Sequence, residues 1–306
     1  MVEPIPSVKQ IDFEVIDVII GAFLETQDEI QLGPFRIERL PRLIKRLTTE
    51  YEDLWRDNIL PASDEAQLAI SVKVRARDPS EAVELGKLEF TKFENFLAYI
   101  IDQDHSQVDV GHSKVPGHGV TQAISHESLQ IAFGGQGYLD VNLEDPLFAS
   151  TQNLWIWNAA ADSNPNEWTR RIMRTIDWMG RSQRDVDPVR KFVQLVFAIE
   201  SLLTYQEENI LVSPSIAATL SEGFAFLLGE DRDQRLSIYR DINDIYKKRS
   251  ALVHGGKKTI STEDISNASE LLHKVLLRIT TKQPFVDFTA IKGVVEWIKT
   301  QKFTTF

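Results

Sequence analysis

The chain has 306 residues, no cysteine and a formal net charge of -11. The absence of cysteine excludes disulfides, thiolate metal sites, iron–sulfur clusters and cysteine nucleophiles. The acidic balance argues against a protein that coats nucleic acid non-specifically, but it is compatible with a local basic site. No apolar run approaches the roughly 18 residues that span a bilayer, and the first ten residues lack the pattern of a secretory signal. We therefore expect a cytoplasmic protein with no membrane partner.

The first half of the chain mixes helical and strand-like patterns. In chain order, the pattern predicts helices over 13–23 and 40–55, a strand over 69–76, a helix from Asp78 to about 88, and strands over 90–138. Alternating apolar and polar side chains indicate the strand over 69–76. Asp78 followed by Pro79 and Glu81 is typical of a helix start. We expect an α+β domain over residues 1–150.

The second half is predicted to be almost entirely helical. Residues 151–167 end in Ser163-Asn164-Pro165-Asn166 and are predicted to be a linker. The helices are predicted over 168–183, from Asp187-Pro188, from Ser213-Pro214, over 233–254 and from the capping sequence at Ser261. Short connections between such helices predict an antiparallel bundle over 168–282, followed by a helical extension over 283–306.

The strongest candidate site is the basic run at the end of the 233–254 helix. It contains Arg249, Ser250 and His254, flanked by lysines at positions 247, 248, 257 and 258. A cation stabilises the charge of a phosphorane and an imidazole moves protons. These are the groups needed to cleave a phosphodiester through a ribose 2′-hydroxyl without a metal ion. The alternative is that basic residues at a helix C-terminus only stabilise the helix.

Arg249, four intervening residues and His254, at the end of an amphipathic helix and before glycine, resemble the motif of the HEPN domain. The similarity is closer to the Apea-like branch of that superfamily. It is carried by the segments FVQLVFAIESLL at 192–203, LSEGFAFLL at 220–228 and IYKKRSALVHG at 245–255. Ser250 stands where the superfamily more often has Asn, Asp or His. The helix around Glu222 lacks an arginine that is frequent in this family.

The resemblance implies a HEPN-type bundle that acts as a metal-independent RNA endonuclease in a toxin or antiphage system. Arg249 would stabilise the phosphorane, His254 would transfer protons and Ser250 would orient the phosphate or the base. The family also implies a homodimer through the bundle, RNA as partner, no cofactor, and an antitoxin or phage-derived trigger. Two alternatives are a catalytically silent module that binds RNA or a protein, and a ligand sensor built on the N-terminal domain.

The helix geometry gives a separate reason to expect a dimer. Arg249 and His254 lie about 140° apart on the helical wheel, so they converge only if the last turn unwinds or a second chain completes the site. The lysines Lys247, Lys248, Lys257 and Lys258, doubled by symmetry, would then form a positive, RNA-binding cleft.

Two further elements are candidates for supporting roles. Glu200 is a carboxylate in an apolar helical run, and it either pairs with an arginine such as Arg249 or faces solvent. Arg170, Arg174 and Arg181 fall within about 40° of one another on the 168–183 helix. They form either an RNA-binding face or a solvated basic stripe.

Three histidines, His112, His118 and His126, occur in a glycine-rich stretch. Imidazoles can ligate a metal, but this spacing matches no known helical zinc motif, and we expect no metal site. Residues 134–137 lack a phosphate-cradling pattern and are predicted to be a hairpin turn.

Overall fold

The computed structural model describes residues 10–50, 68–101, 108–111, 121–125, 130–134, 140–205, 215–255 and 259–303. The chain divides into two units, Met1–Ala149 and Ser150–Phe306. Within the described ranges the first unit combines strands with two helices, and the second unit is helical. An α+β region followed by a helical region is therefore confirmed.

The first unit is built on a five-stranded antiparallel sheet. The strands described in the whole unit are β1 (Ile11–Ile20), β2 (Ala22–Phe23), β3 (Glu29–Leu32), β4 (Phe35–Arg39), β5 (Leu68–Ala76), β6 (Asp109–Val110), β7 (Thr121–Ser125), β8 (Gln130–Gly134) and β9 (Val141–Asn142). Its helices are α1 (Leu40–Glu50) and α2 (Pro79–Ile101). The sheet order is β3-β4-β5-β1-β6, while β2 pairs with β9 and β7 pairs with β8.

The two helices cover opposite faces of this sheet. Successive side chains of a strand point to opposite faces, so the strand residues that a helix contacts identify the face that it covers. Val18 of β1 belongs to a buried cluster with Leu43 of α1. Buried Glu38 on the same face is fixed by Arg46 of α1 at 2.6 Å. On the other face Phe93 of α2 packs against Phe35 of β4, with ring centroids 5.0 Å apart. The sheet is thus the middle layer of three.

Two sequence predictions in the first unit are wrong. Residues 13–23 form strands β1 and β2 instead of a helix. The period of a short apolar run does not distinguish a buried helix from a buried strand. The segment forms a strand because β1 pairs with β5 and β6. Residues 90–101 continue α2 instead of forming strands, because Phe90, Phe93 and Leu97 recur at helical spacing and are buried.

Other predictions in this unit are confirmed. The strand over 69–76 is β5 and the helix from residue 40 is α1, whose predicted continuation over 51–55 lies outside the described residues. The predicted cap of α2 is present, since Asp78 Oδ1 accepts the Glu81 N–H at 2.8 Å.

The second unit is organised around one helix. Its helices are α3 (Thr151–Ala161), α4 (Glu167–Arg184), α5 (Pro188–Leu203), α6 (Ile216–Leu228), α7 (Arg232–Val253), α8 (Thr262–Thr281) and α9 (Ile291–Phe303). α5 packs against α4, α6, α7 and α8. The apolar face predicted for it is buried and consists of Phe192, Leu195, Val196, Ile199, Leu202 and Leu203.

The stretch predicted to be a linker is part of this unit. Residues 151–161 form α3, which packs against α4 and α8. Ser150 caps α3. Asn166, one of the four residues that suggested a linker, instead caps α4. The predicted extension contains α9, which packs against α6. Ser213 and Pro214 lie outside the described residues, and the N-cap of α6 is Ser215.

Replacement of Gly86 by alanine tests the packing of α2 on the sheet. An added Cβ would lie 2.5 Å from the Val15 side chain of β1. We expect Gly86→Ala to lower the free energy of unfolding by about 1–3 kcal/mol through overpacking, even though alanine favours helices. Exposed Glu84→Ala on the same helix should change it by less than about 0.5 kcal/mol. Denaturant titration measures both, and an unchanged or higher stability for Gly86→Ala would contradict the close approach.

Candidate functional site

The end of α7 carries the predicted catalytic residues. Arg249 is partly exposed, whereas Ser250 and His254 are exposed. The His254 N–H donates to the Ser250 carbonyl at 3.1 Å, and Gly255 follows with a φ of 77°. The left-handed conformation at Gly255 is a usual helix ending, because glycine has no Cβ to hinder it. α7 therefore stays regular up to His254, and the last turn does not unwind.

Glu200 connects α5 to this end of α7. Its Oε1 accepts the hydroxyl hydrogen of Tyr246 and lies 3.9 Å from Nη2 of Arg249. Tyr246 and Arg249 are three residues apart and so lie on one side of α7. Of the two interpretations of Glu200, the structure contains the pair with Arg249. The carboxylate thereby limits the positions that the guanidinium can occupy.

Tyr246 has an altered environment as a result. Burial raises the pKa of its phenol, and the hydrogen bond to the Glu200 carboxylate raises it further, while the charge of Arg249 acts in the opposite direction. Tyr246 thus stays a neutral donor to Glu200. Tyr246 was not among the predicted site residues, because its partner Glu200 is 46 residues away in the sequence.

An arginine groove of about 590 Å³ adjoins Glu200. It lies between α4 and α5, and we define it by Arg170, Arg171, Arg174, Trp178, Phe197 and Glu200. Two of the three predicted basic residues of α4, Arg170 and Arg174, line it together with the predicted supporting carboxylate. The groove and the Arg249 pair therefore share Glu200.

The arginines of α4 differ in their contacts. Arg174 makes no ion pair or hydrogen bond within the described part of the chain, and Arg170 donates to the Pro165 carbonyl. Arg171, which the sequence analysis missed, donates to the Thr204 carbonyl at 2.9 Å and so caps the end of α5. Arg181 is paired with Asp177 at 2.9 Å and is not among the groove residues. Arg174 is therefore the arginine of this face best able to accept an external anion.

The predicted lysines are compensated where they are described. Lys247 pairs with Asp244 at 2.9 Å, and Lys248 pairs with Asp264. The hydrogen bond and charge of Lys247 lower the pKa of Asp244, so this carboxylate is ionised near neutral pH. Lys257 and Lys258 lie outside the described residues. The basic run is thus less positive than its sequence suggests.

The remaining candidates of the first unit are three histidines and a predicted turn. His112, His118 and His126 lie outside the described residues, as does most of the predicted turn at 134–137. Within the described ranges, no three histidine, aspartate or glutamate side chains are grouped so as to hold a metal ion.

No family model matches the chain, and no curated protein or solved structure is significantly similar to it. The resemblance to HEPN domains therefore depends on the residues and their arrangement alone. Among the helices that the structure describes, none has the length and apolar character needed to cross a membrane.

The Tyr246–Glu200 contact can be tested by removing one hydroxyl. A hydrogen bond to a charged acceptor contributes about 1.5–3 kcal/mol, so Tyr246→Phe should lower the free energy of unfolding by about that amount. Tyr239→Phe is the matched control, because Tyr239 is on the same helix and its hydroxyl has no hydrogen bond among the described residues. Chemical denaturation of both variants measures the difference. Equal stability of the two variants would show that the contact contributes nothing.

Proposed function

We propose that the second unit is a HEPN-type RNA endonuclease that cleaves through the ribose 2′-hydroxyl without a metal ion. The observation that carries this proposal is the contact of Glu200 with Arg249 beside the arginine groove. It joins the residue expected to stabilise the phosphorane to a surface suited to a phosphate backbone. The protein would act in the cytoplasm as a toxin or antiphage effector, controlled by an antitoxin or a phage-derived trigger.

The chemistry follows from the groups present. The 2′-oxygen attacks the adjacent phosphorus as His254 removes its proton, and the imidazolium so formed returns that proton to the 5′-oxygen as the bond between phosphorus and the 5′-oxygen breaks. Arg249 stabilises the negative charge of the phosphorane through its planar fork of donors. The exposed Ser250 hydroxyl orients a phosphate oxygen. The products are a 2′,3′-cyclic phosphate and a 5′-hydroxyl.

A second copy of the chain is needed to bring both groups to one phosphate. The helix is regular as far as His254, so Arg249 and His254 diverge by about 140° around α7. A two-fold dimer through α7 would place the arginine of one chain opposite the histidine of the other. The sequence left two ways for the groups to meet, an unwound turn or a second chain. The regular helix favours the second chain.

An exposed apolar stripe on α7 supports this dimer. The stripe consists of Leu236, Tyr239 and Val253, which are 41%, 38% and 61% exposed. The three lie within about 100° of one another on the helical wheel, in a sector that also contains Ser250 and His254. Covering the stripe with a second copy would bury it and bring the two His254 side chains into the interface region.

A second candidate function is a bundle that binds RNA or a partner protein without cleaving it. It is favoured by the divergence of Arg249 and His254 around α7, which keeps the two groups apart within one chain. Retained RNA binding with no cleavage by the unmodified protein would support this candidate over the nuclease.

Substitution of the catalytic pair tests the proposed reaction. With purified protein in EDTA, Arg249→Ala and His254→Ala should each lower RNA cleavage at least about 100-fold, or about 3 kcal/mol of transition-state stabilisation. Lys292→Ala, which removes an exposed cation of α9, is the control and should retain activity. End-group analysis should show 5′-hydroxyl products. A strict Mg²⁺ requirement, 5′-phosphate products, or variants that unfold as they lose activity would contradict the proposal.

Mixing the two inactive variants tests the composite site. If arginine and histidine come from different chains, a heterodimer of Arg249→Ala with His254→Ala has one intact site. Random exchange should then restore roughly a quarter of the unmodified activity. Light scattering should give twice the 34.9 kDa of one chain. A monomer that cleaves at full rate, or a mixture that stays inactive after subunit exchange, would place both groups in one chain.

A further inference from the structure

Among the described residues, the outer edge of β3 has main-chain groups that no other strand pairs with. β3 is an end strand of the sheet, and in the described part of the chain only β4 pairs with it. The Asp28 carbonyl accepts the Arg39 N–H at 3.0 Å, so Asp28 faces β4. Main-chain groups alternate in direction along an antiparallel strand. Glu29 and Gln31 therefore direct their N–H and C=O groups away from β4.

A groove of about 780 Å³ follows this edge. Every residue from 27 to 32 lines this groove. Successive side chains of a strand point to opposite faces of the sheet, so a groove that contacts all six residues lies along the edge of the strand. Leu32, Leu143 and Phe148 supply buried apolar surface to the groove. The groove thus offers main-chain partners and apolar contacts together, as strand-addition sites do.

The edge is held in place before any partner arrives. Both carboxylate oxygens of Glu144 accept main-chain N–H groups of the preceding turn, from Thr26 at 2.7 Å and Gln27 at 2.8 Å. Arg39 holds the start of the same turn by donating to the Leu24 carbonyl at 2.7 Å. A preformed edge loses less conformational entropy on binding, which favours affinity.

The charge of the groove selects the partner. Four carboxylates line it, those of Asp28, Glu29, Glu144 and Asp145. Glu29 is paired with Arg36 and Arg42, and Asp28 is paired with Arg39. Glu144 and Asp145 have no ion pair among the described residues, so the groove keeps an excess of negative charge. Nucleic acid would be repelled, and a second copy joined through the same edge would bring like charges together. Basic side chains complement this surface.

We propose that the β3 edge binds an extended, basic peptide segment of a partner protein as an additional antiparallel or parallel strand. The segment would carry lysine or arginine at alternate positions, facing the carboxylates, with apolar residues between them contacting the apolar surface of the groove. This recognition belongs to the first unit and does not depend on the nuclease proposal.

Fluorescence anisotropy with a labelled heptapeptide of alternating lysine and valine tests the site on the full chain. We expect saturable, micromolar binding, and at least tenfold weaker binding of the glutamate–valine peptide. Amide hydrogen exchange at Glu29 and Gln31 should slow at least tenfold on binding, because the added strand bonds to these amides. No binding of the basic peptide, or binding without protection of these two amides, would overturn the proposal.

Gln31→Pro and its control Gln31→Val locate the contact. Proline is tolerated at an edge position whose N–H faces outward, and it removes that donor, so peptide binding should fall at least tenfold while Gln31→Val retains it. Two peptides make the same test without altering the protein, one N-methylated at its odd-numbered amides and the other at its even-numbered amides. The peptide whose methylated amides face β3 cannot donate hydrogen bonds to it and should not bind. Equal binding of all variants, equal binding of both methylated peptides, or a dimer that Gln31→Pro dissociates would each overturn the proposal.

Discussion

Burial of α5 among four helices fixes the geometry of the candidate site. Its apolar face is fully covered by α4, α6, α7 and α8. Gly223 permits the approach of α6, since a Cβ there would lie 2.7 Å from the Leu203 side chain. α5 cannot rotate without exposing apolar surface, at roughly 25 cal/mol for each Å². The direction of Glu200, on the polar edge of this helix, is therefore determined by the core.

Local signals made part of this fold predictable. The caps at Asp78, Asp187 and Ser261 and the buried face of α5 follow from side-chain chemistry and period, and these predictions are confirmed. β1 was not predictable, because its apolar residues are compatible with a buried helix until pairing with β5 is known. The linker was misassigned because polar residues favour helix caps as well as loops, and Asn166 caps α4.

The sequence predicted residues of the candidate site, but not the contacts between them. The sequence indicated Arg249, His254 and Glu200, but the pairing of Glu200 with Arg249 requires the packing of α5 on α7. Tyr246 and Arg171 were missed for the same reason, because each binds a group that is distant in sequence. Lys247 and Lys248 show the opposite effect, because the carboxylates of Asp244 and Asp264 compensate the positive charge that the sequence indicates.

The distribution of paired and unpaired charge gives the two units different preferences. In the second unit the arginine groove, with Arg174 free of partners among the described residues, favours anions. In the first unit the β3 groove is lined by carboxylates and favours cations. An RNA and a basic peptide would therefore not compete for one surface. A sensor requires a recognition surface separate from its effector surface, and this difference in charge gives the sensor interpretation of the first unit a physical basis.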